Sequence, residues 1–131
     1  MVRKLQRFAI LGGVLLFVAC TAAPIMNVQN APVNVSKSNA TLEDVSKAIT
    51  RAGVGLGWQM TPQKPGLMQG RLALREHVAV VNIKYDTKSY SIDYKDSTNL
   101  NYDGQKGQIH RNYNGWIQRL DNAIQAQLSA L

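Results

Sequence analysis

Between Leu56 and Lys95, four runs of alternating apolar and polar residues follow one another, with short links between them. This pattern restricts the fold more than any other feature of the chain. In the last run, Tyr90, Ile92 and Tyr94 oppose Ser89, Ser91, Asp93 and Lys95; in the one before, Ala79, Val81, Ile83 and Tyr85 oppose Val78, Val80, Asn82 and Lys84. A side-chain period of two marks a half-buried strand. Leu72 and Leu74 against Arg71 and Arg75 form the second run. Leu56, Trp58 and Met60 against Gly57 and Gln59 form the first, up to the breaker Thr61-Pro62-Gln63-Lys64-Pro65-Gly66. Arg75-Glu76-His77 and Asp86-Thr87-Lys88 are short enough for hairpin turns, whereas parallel pairing needs a crossover of about a dozen residues. The sequence predicts a four-stranded antiparallel meander.

A helix on each side completes the unit. Thr41 can cap a helix whose first turn holds Glu43 and Asp44, favourable at the positive dipole end. Leu42, Val45, Ala48, Ile49 and Ala52 fall on one face, and Gly53 reads as a left-handed stop. The closing helix is expected from about Arg111 to Ser129, with Tyr113, Ile117, Leu120, Ile124 and Leu128 as its apolar stripe and Trp116 and Ala123 widening it. The fold class is thus α+β, in the order α-β-β-β-β-α, as a single domain over residues 41–131. Both helices should pack on one sheet face, with Trp58, Trp116, Tyr90, Ile92 and Tyr94 between the layers and the other face open to solvent.

The first twenty residues, MVRKLQRFAILGGVLLFVAC, say nothing about that fold but much about location. Arg3, Lys4 and Arg7 make a charged start, and Phe8 to Ala19 is a twelve-residue apolar or glycine stretch. It is too short to span a ~30 Å hydrocarbon core as a helix. Phe17-Val18-Ala19 before Cys20 resembles a bacterial lipobox, with Phe where Leu is preferred. The resemblance implies a signal peptide over residues 1–19 and a lipid on Cys20, the chain's one cysteine. An exported chain with an odd thiol calls for such an explanation. Thr21 in place of Asp then implies the periplasmic side of the outer membrane. The segment Ile109-His110-Arg111-Asn112-Tyr113-Asn114-Gly115-Trp116-Ile117-Gln118-Arg119-Leu120-Asp121 resembles the closing helix of small uncharacterised proteobacterial envelope lipoproteins, which implies a location but no activity.

Removing residues 1–19 lowers the net charge from +7 to +4, a mild excess that does not call for nucleic acid as a partner. Residues 21–40, rich in Asn and Ala with Pro24 and Pro32, read as a flexible tether behind the lipidated Cys20. About twenty such residues would span ~25 Å r.m.s..

The chemical motifs are weak. Gly53-Val54-Gly55-Leu56-Gly57 follows a helix and opens a strand, the reverse of a dinucleotide loop. Asn99-Leu100-Asn101-Tyr102-Asp103-Gly104 echoes the start of a calcium loop, but His110 stands where a bidentate Glu belongs. A polar loop with a turn at Asp103-Gly104 fits better. His77 reads as a solvated turn residue, and His110 as a cap for the last helix or a partner for Trp116. Neither has neighbours at metal-ligand spacing or a serine elbow. No catalytic residue, metal or cofactor is expected.

The outer sheet face carries the best surface signal. Arg71, Arg75, Lys84 and Lys95 should share it with Asp93, Gln69, Asn82, Ser91, Val78 and Val80, a local charge of +3. No aromatics interleave the basic residues, so single-strand stacking is unsupported. The expected role is a lipid-anchored periplasmic interaction or assembly module without chemistry of its own, held to the membrane through Cys20 and docking an envelope protein. One alternative is a binder of an anionic envelope ligand (peptidoglycan, lipopolysaccharide or a phospholipid head group) on the basic face. A remote one is a membrane-proximal hydrolase.

Overall fold

The computed structural model describes residues 21–131; the expected signal peptide and Cys20 lie outside the described residues. The chain runs β1 (Ala22–Pro24), β2 (Val28–Pro32), α1 (Leu42–Gly55), β3 (Gln59–Lys64), β4 (Leu67–Leu74), β5 (His77–Tyr85), β6 (Ser89–Thr98), β7 (Gln108–His110) and α2 (Arg111–Ser129). The expected α+β class and the antiparallel meander β3-β4-β5-β6 are present, but the main sheet has five strands, ordered β2-β6-β5-β4-β3. A separate two-stranded sheet pairs β1 with β7.

The extra strands come from the segment read as a tether. Pro32, Ala31 and Val28 stand opposite Ser89, Tyr90 and Ile92, and Ala22 to Pro24 pair with His110 to Gln108. Asparagine side chains tie this stretch to the rest of the fold, Asn27 from within it and Asn114 from α2. The side chain of Asn27 accepts the Tyr94 N–H, and Asn114 both accepts the Met26 N–H and donates to the Pro24 carbonyl. Strands this short have no alternation of their own to read; their partners define them.

α1 and α2 pack side by side on one face of the sheet. Val45 and Ile49 from α1, Tyr113, Ile117, Leu120 and Ile124 from α2, and Met68, Val81, Ile83 and Ile92 from the strands are all buried. Trp58 and Trp116, 3% and 6% exposed, lie within this core as expected, with Tyr90 beside them. Tyr94 is only partly buried, because a bulge opposite Val80 and Val81 turns the end of β6. Tyr94 instead stacks on Tyr102 at 4.1 Å.

Thr41 caps α1 as read: its hydroxyl accepts the Asp44 N–H while the Asp44 carboxylate accepts the Thr41 N–H. These bonds and Lys37, 3.0 Å away, hold the Asp44 carboxyl down at about 2. Gly53 is not the stop. It lies inside α1, buried, and the left-handed residue is Gly57 at φ +89°. A Cβ at Gly53 would sit 2.3 Å from the Met60 sulfur, so a larger residue there needs Met60 to move. Leu56, expected inside with Trp58, follows the helix end and is 40% exposed; Leu74, at the last position of β4, is 46% exposed. The breaker also yields. β3 runs through Pro62 to Lys64 because it is an edge strand with a bulge, where a missing N–H costs no ladder bond.

Candidate binding surfaces

With both helices on one face, the opposite face is built from outward residues of five strands. The register sets Gln59, Arg71, Val80 and Asp96 in one row, and Thr61, Gln69, Asn82 and Asp93 in the next. Leu67, Lys84 and Ser91 form a third row, which Lys64 extends on β3. Val78 and Val80 are half-buried along its centre. Gln29 on β2 donates to the Asp93 carboxylate, and Lys95 donates to the Gln69 side-chain oxygen at 2.8 Å.

Both edges of the sheet are blocked against further strands. β2 is short, contains Asn30 at φ +51° and ends at Pro32; β3 carries Pro62, a bulge and Lys64. These are the devices by which sheets refuse edge pairing.

The expected basic patch does not gather. Arg71, Lys84 and Lys95 do lie on the open face, but Lys84 is four residues along β5 from the partner of Arg71, about 14 Å at strand rise. Arg75 is off the face altogether. It occupies the β4–β5 turn at φ +56°, about 14 Å beyond Arg71 in the other direction. The bulge also brings Asp96 into the row of Arg71 and Val80, so the face holds two acids instead of the one expected. Exposed charges this far apart are largely screened from one another, since the Debye length is ~8 Å at physiological salt.

A different pair of lysines does converge. Lys64 and Lys84 both stand beside Leu67, two strand spacings or about 10 Å apart at Cα. They line an open pocket of about 410 Å³ with Asn30, Ser89 and Ser91. The Ser91 hydroxyl accepts the Asn30 N–H and keeps its own proton to donate. Neither lysine side chain has an ion-pair or hydrogen-bond partner among the described residues. Asp86 is the pocket's one acid, and its Oδ1 already accepts the N–H groups of Lys88 and Ser89, which lowers its pKa. The sequence reading missed Lys64 because it sat in a supposed breaker; only the bulge turns it onto the face.

The two histidines come together at the other end of the sheet. His110 Nδ1 accepts the Asn112 N–H and caps α2. His77 is half-buried, not solvated. Its Nδ1 lies 2.8 Å from the Asn99 carbonyl, and its ring is 6.4 Å from His110 and 6.3 Å from Trp116. Both are thus in structural use. The Asp103 carboxylate is likewise committed, accepting the N–H groups of Gln105 and Lys106 in the expected turn. No cluster of three or more potential metal ligands occurs among the described residues.

In the core, Tyr90 donates to Asp121, and burial together with that bond raises its pKa. The Tyr113 hydroxyl is buried with no hydrogen-bond partner among the described residues, and desolvation raises its pKa as well. Comparison of the chain with family models, with curated proteins and with solved structures returned no match.

Proposed function

We propose that the protein is a lipid-anchored envelope module, held by acyl chains on Cys20 at the periplasmic side of the outer membrane, that binds a partner protein on the open face of its sheet and has no chemistry of its own. The observation that carries this reading is the asymmetry of the sheet. Among the described residues one face supports both helices, the other supports nothing, and both edges are blocked. The aliphatic centre at Val78 and Val80, ringed by Arg71, Lys95, Asp93 and Asp96, has the apolar middle and mixed-charge rim of a protein–protein contact.

Two measurements test it. A photoreactive residue replacing Val80 should give a discrete adduct in the envelope, and one replacing the exposed Gln118 on α2 should not; equal yields would refute the assignment of the face. Cys20→Ser should move the protein out of the membrane fraction. Two or more acyl chains, at ~0.8 kcal/mol per buried CH₂, anchor stably where one holds only marginally.

The pocket of Lys64 and Lys84 favours a second reading, recognition of an anionic head group or glycan. Two free ammoniums and two serine hydroxyls converge there with a single, already bonded carboxylate opposite. Lys64→Glu with Lys84→Glu should abolish retention on lipopolysaccharide-coated beads at low salt. Retention that survives both the reversal and high salt would sink it.

A further inference from the structure

We propose that the end of the domain at which the chain leaves toward Cys20 is a membrane-apposed surface that lies on anionic phospholipid head groups. The proposal rests on the lipid-anchor reading of Cys20.

The first observation is the loss of the tether. The Thr21 carbonyl accepts the Arg111 N–H at 2.8 Å, and Ala22 pairs with His110, so the chain is docked on the start of α2 from its first described residue. Cys20 is covalently the next residue, and consecutive Cα atoms are only ~3.8 Å apart. A lipid on Cys20 would bring this end of the fold against the head groups, with no flexible spacer between.

The second observation is what that end displays. His110 leads through the His77 ring to Leu74, its neighbour across the β4–β5 turn. Leu74 in turn shares a surface depression with Leu56, Trp116 and Arg119. Val54, the last residue but one of α1, stands two positions before Leu56 in the chain. Four large hydrophobic side chains are exposed among the described residues, and three of them, Val54, Leu56 and Leu74, are here. The opposite end, at the β5–β6 turn, holds none of these three.

The third observation is charge. Arg75 follows Leu74 in the β4–β5 turn, Arg119 shares the depression with Leu56 and Leu74, and Arg111 follows His110; the turn also carries the acid Glu76. Arg111 is the first residue of α2, where a cation opposes the positive end of the helix dipole. A side chain that disfavours its own helix needs another reason to be there, and an anionic surface is one. Each basic residue near such a surface strengthens binding about fivefold.

The test uses the lipidated full-length protein in phosphatidylcholine–phosphatidylglycerol vesicles carrying a head-group quencher. Acylation of Cys20 leaves an introduced thiol as the one site for a fluorophore. Gly55→Cys marks the proposed membrane end, where a Cβ meets nothing within 4 Å; Lys88→Cys marks the opposite turn. The proposal expects the label at 55 to be quenched several-fold more than the label at 88. It also expects Arg75→Glu with Arg111→Glu to reduce that difference while the protein still sediments with the vesicles. Equal quenching, or stronger quenching at 88, in protein that does sediment overturns the orientation and leaves the anchor standing. Protein that stays in the supernatant overturns the anchor and the orientation with it. Thiols at 55 that oxidise to a linked dimer on the vesicles would assign this end to a second copy and also overturn the proposal.

Discussion

Gly53→Ala should change sign with the residue at position 60. Gly53 lies in the last turns of α1 at an ordinary helical φ, so alanine there gains about 1 kcal/mol of helix propensity. Against this, the new Cβ would fall 2.3 Å from the Met60 sulfur and 2.6 Å from its Cγ. Met60 must give way, and overpacking of this kind costs about 1–3 kcal/mol. The single variant should therefore lose up to about 2 kcal/mol net, or roughly 4–8 °C in Tm for each kcal/mol in a domain of about this size. Met60→Ala removes the three atoms nearest the new methyl, so in that background Gly53→Ala should stabilise by about 1 kcal/mol. The four proteins form a double-mutant cycle, with urea midpoints as the readout and an expected coupling of about 1–3 kcal/mol. If Gly53→Ala has the same effect in both backgrounds, the contact between helix and edge strand is not what keeps glycine at this position.

Trp116→Ala should cost about 3–5 kcal/mol, since the ring is 6% exposed at the join of α2, His77 and β4; a variant melting within a few degrees of the parent would remove it from the core. Tyr113→Phe deletes a buried hydroxyl that has no partner and should raise stability by about 1 kcal/mol or more, which a drop in urea midpoint would refute. Arg111→Glu replaces a cation at the positive end of α2 and should add about 0.3–1 kcal/mol at low salt; a fall would mean the arginine serves the fold. Asp44 has its carboxyl held at about 2 against an ordinary 3.8, so its contribution is complete above pH 3.8 and is lost as pH falls toward 2. Asp44→Asn should flatten that part of an acid-unfolding curve, and an unchanged slope would discount the capping box.

The elements that could be read from sequence are those whose pattern is local. α2 needs only its stripe from Tyr113 to Leu128, and β5 only the alternation of Ala79, Val81, Ile83 and Tyr85. What escaped is defined by partners. Residues 28–32 carry no period, and they are a strand because Ser89, Tyr90 and Ile92 on β6 offer a free edge. Gly53 has the composition of a helix stop; its real constraint is a methionine seven residues away across the β3 turn-in. Leu56 and Leu74 fit the apolar parity of their runs, yet Leu56 lies between the end of α1 and the start of β3 and Leu74 is the last paired residue of β4, and parity does not guarantee cover at the ends of a strand.

The surface was harder to read than the core for a related reason. Parity correctly put Arg71, Lys84 and Lys95 on one face, but a period of two gives a side and not a position along the strand. Whether charges cooperate depends on that second coordinate, because their interaction is screened out over ~8 Å while one strand is several times longer. The register separates Lys84 from Arg71, carries Arg75 round a turn, and sets Lys64 two spacings from Lys84. Two bulges, at Pro62–Lys64 and opposite Val80–Val81, decide which of Lys64 and Asp96 reach the face. Each inserts one unpaired residue and so inverts parity downstream. The same coordinate links the N-terminal strands to the proposed orientation. β1 fixes the chain's exit beside His110 and Arg111, so the surface nearest any lipid on Cys20 is set by an antiparallel pairing of three residues.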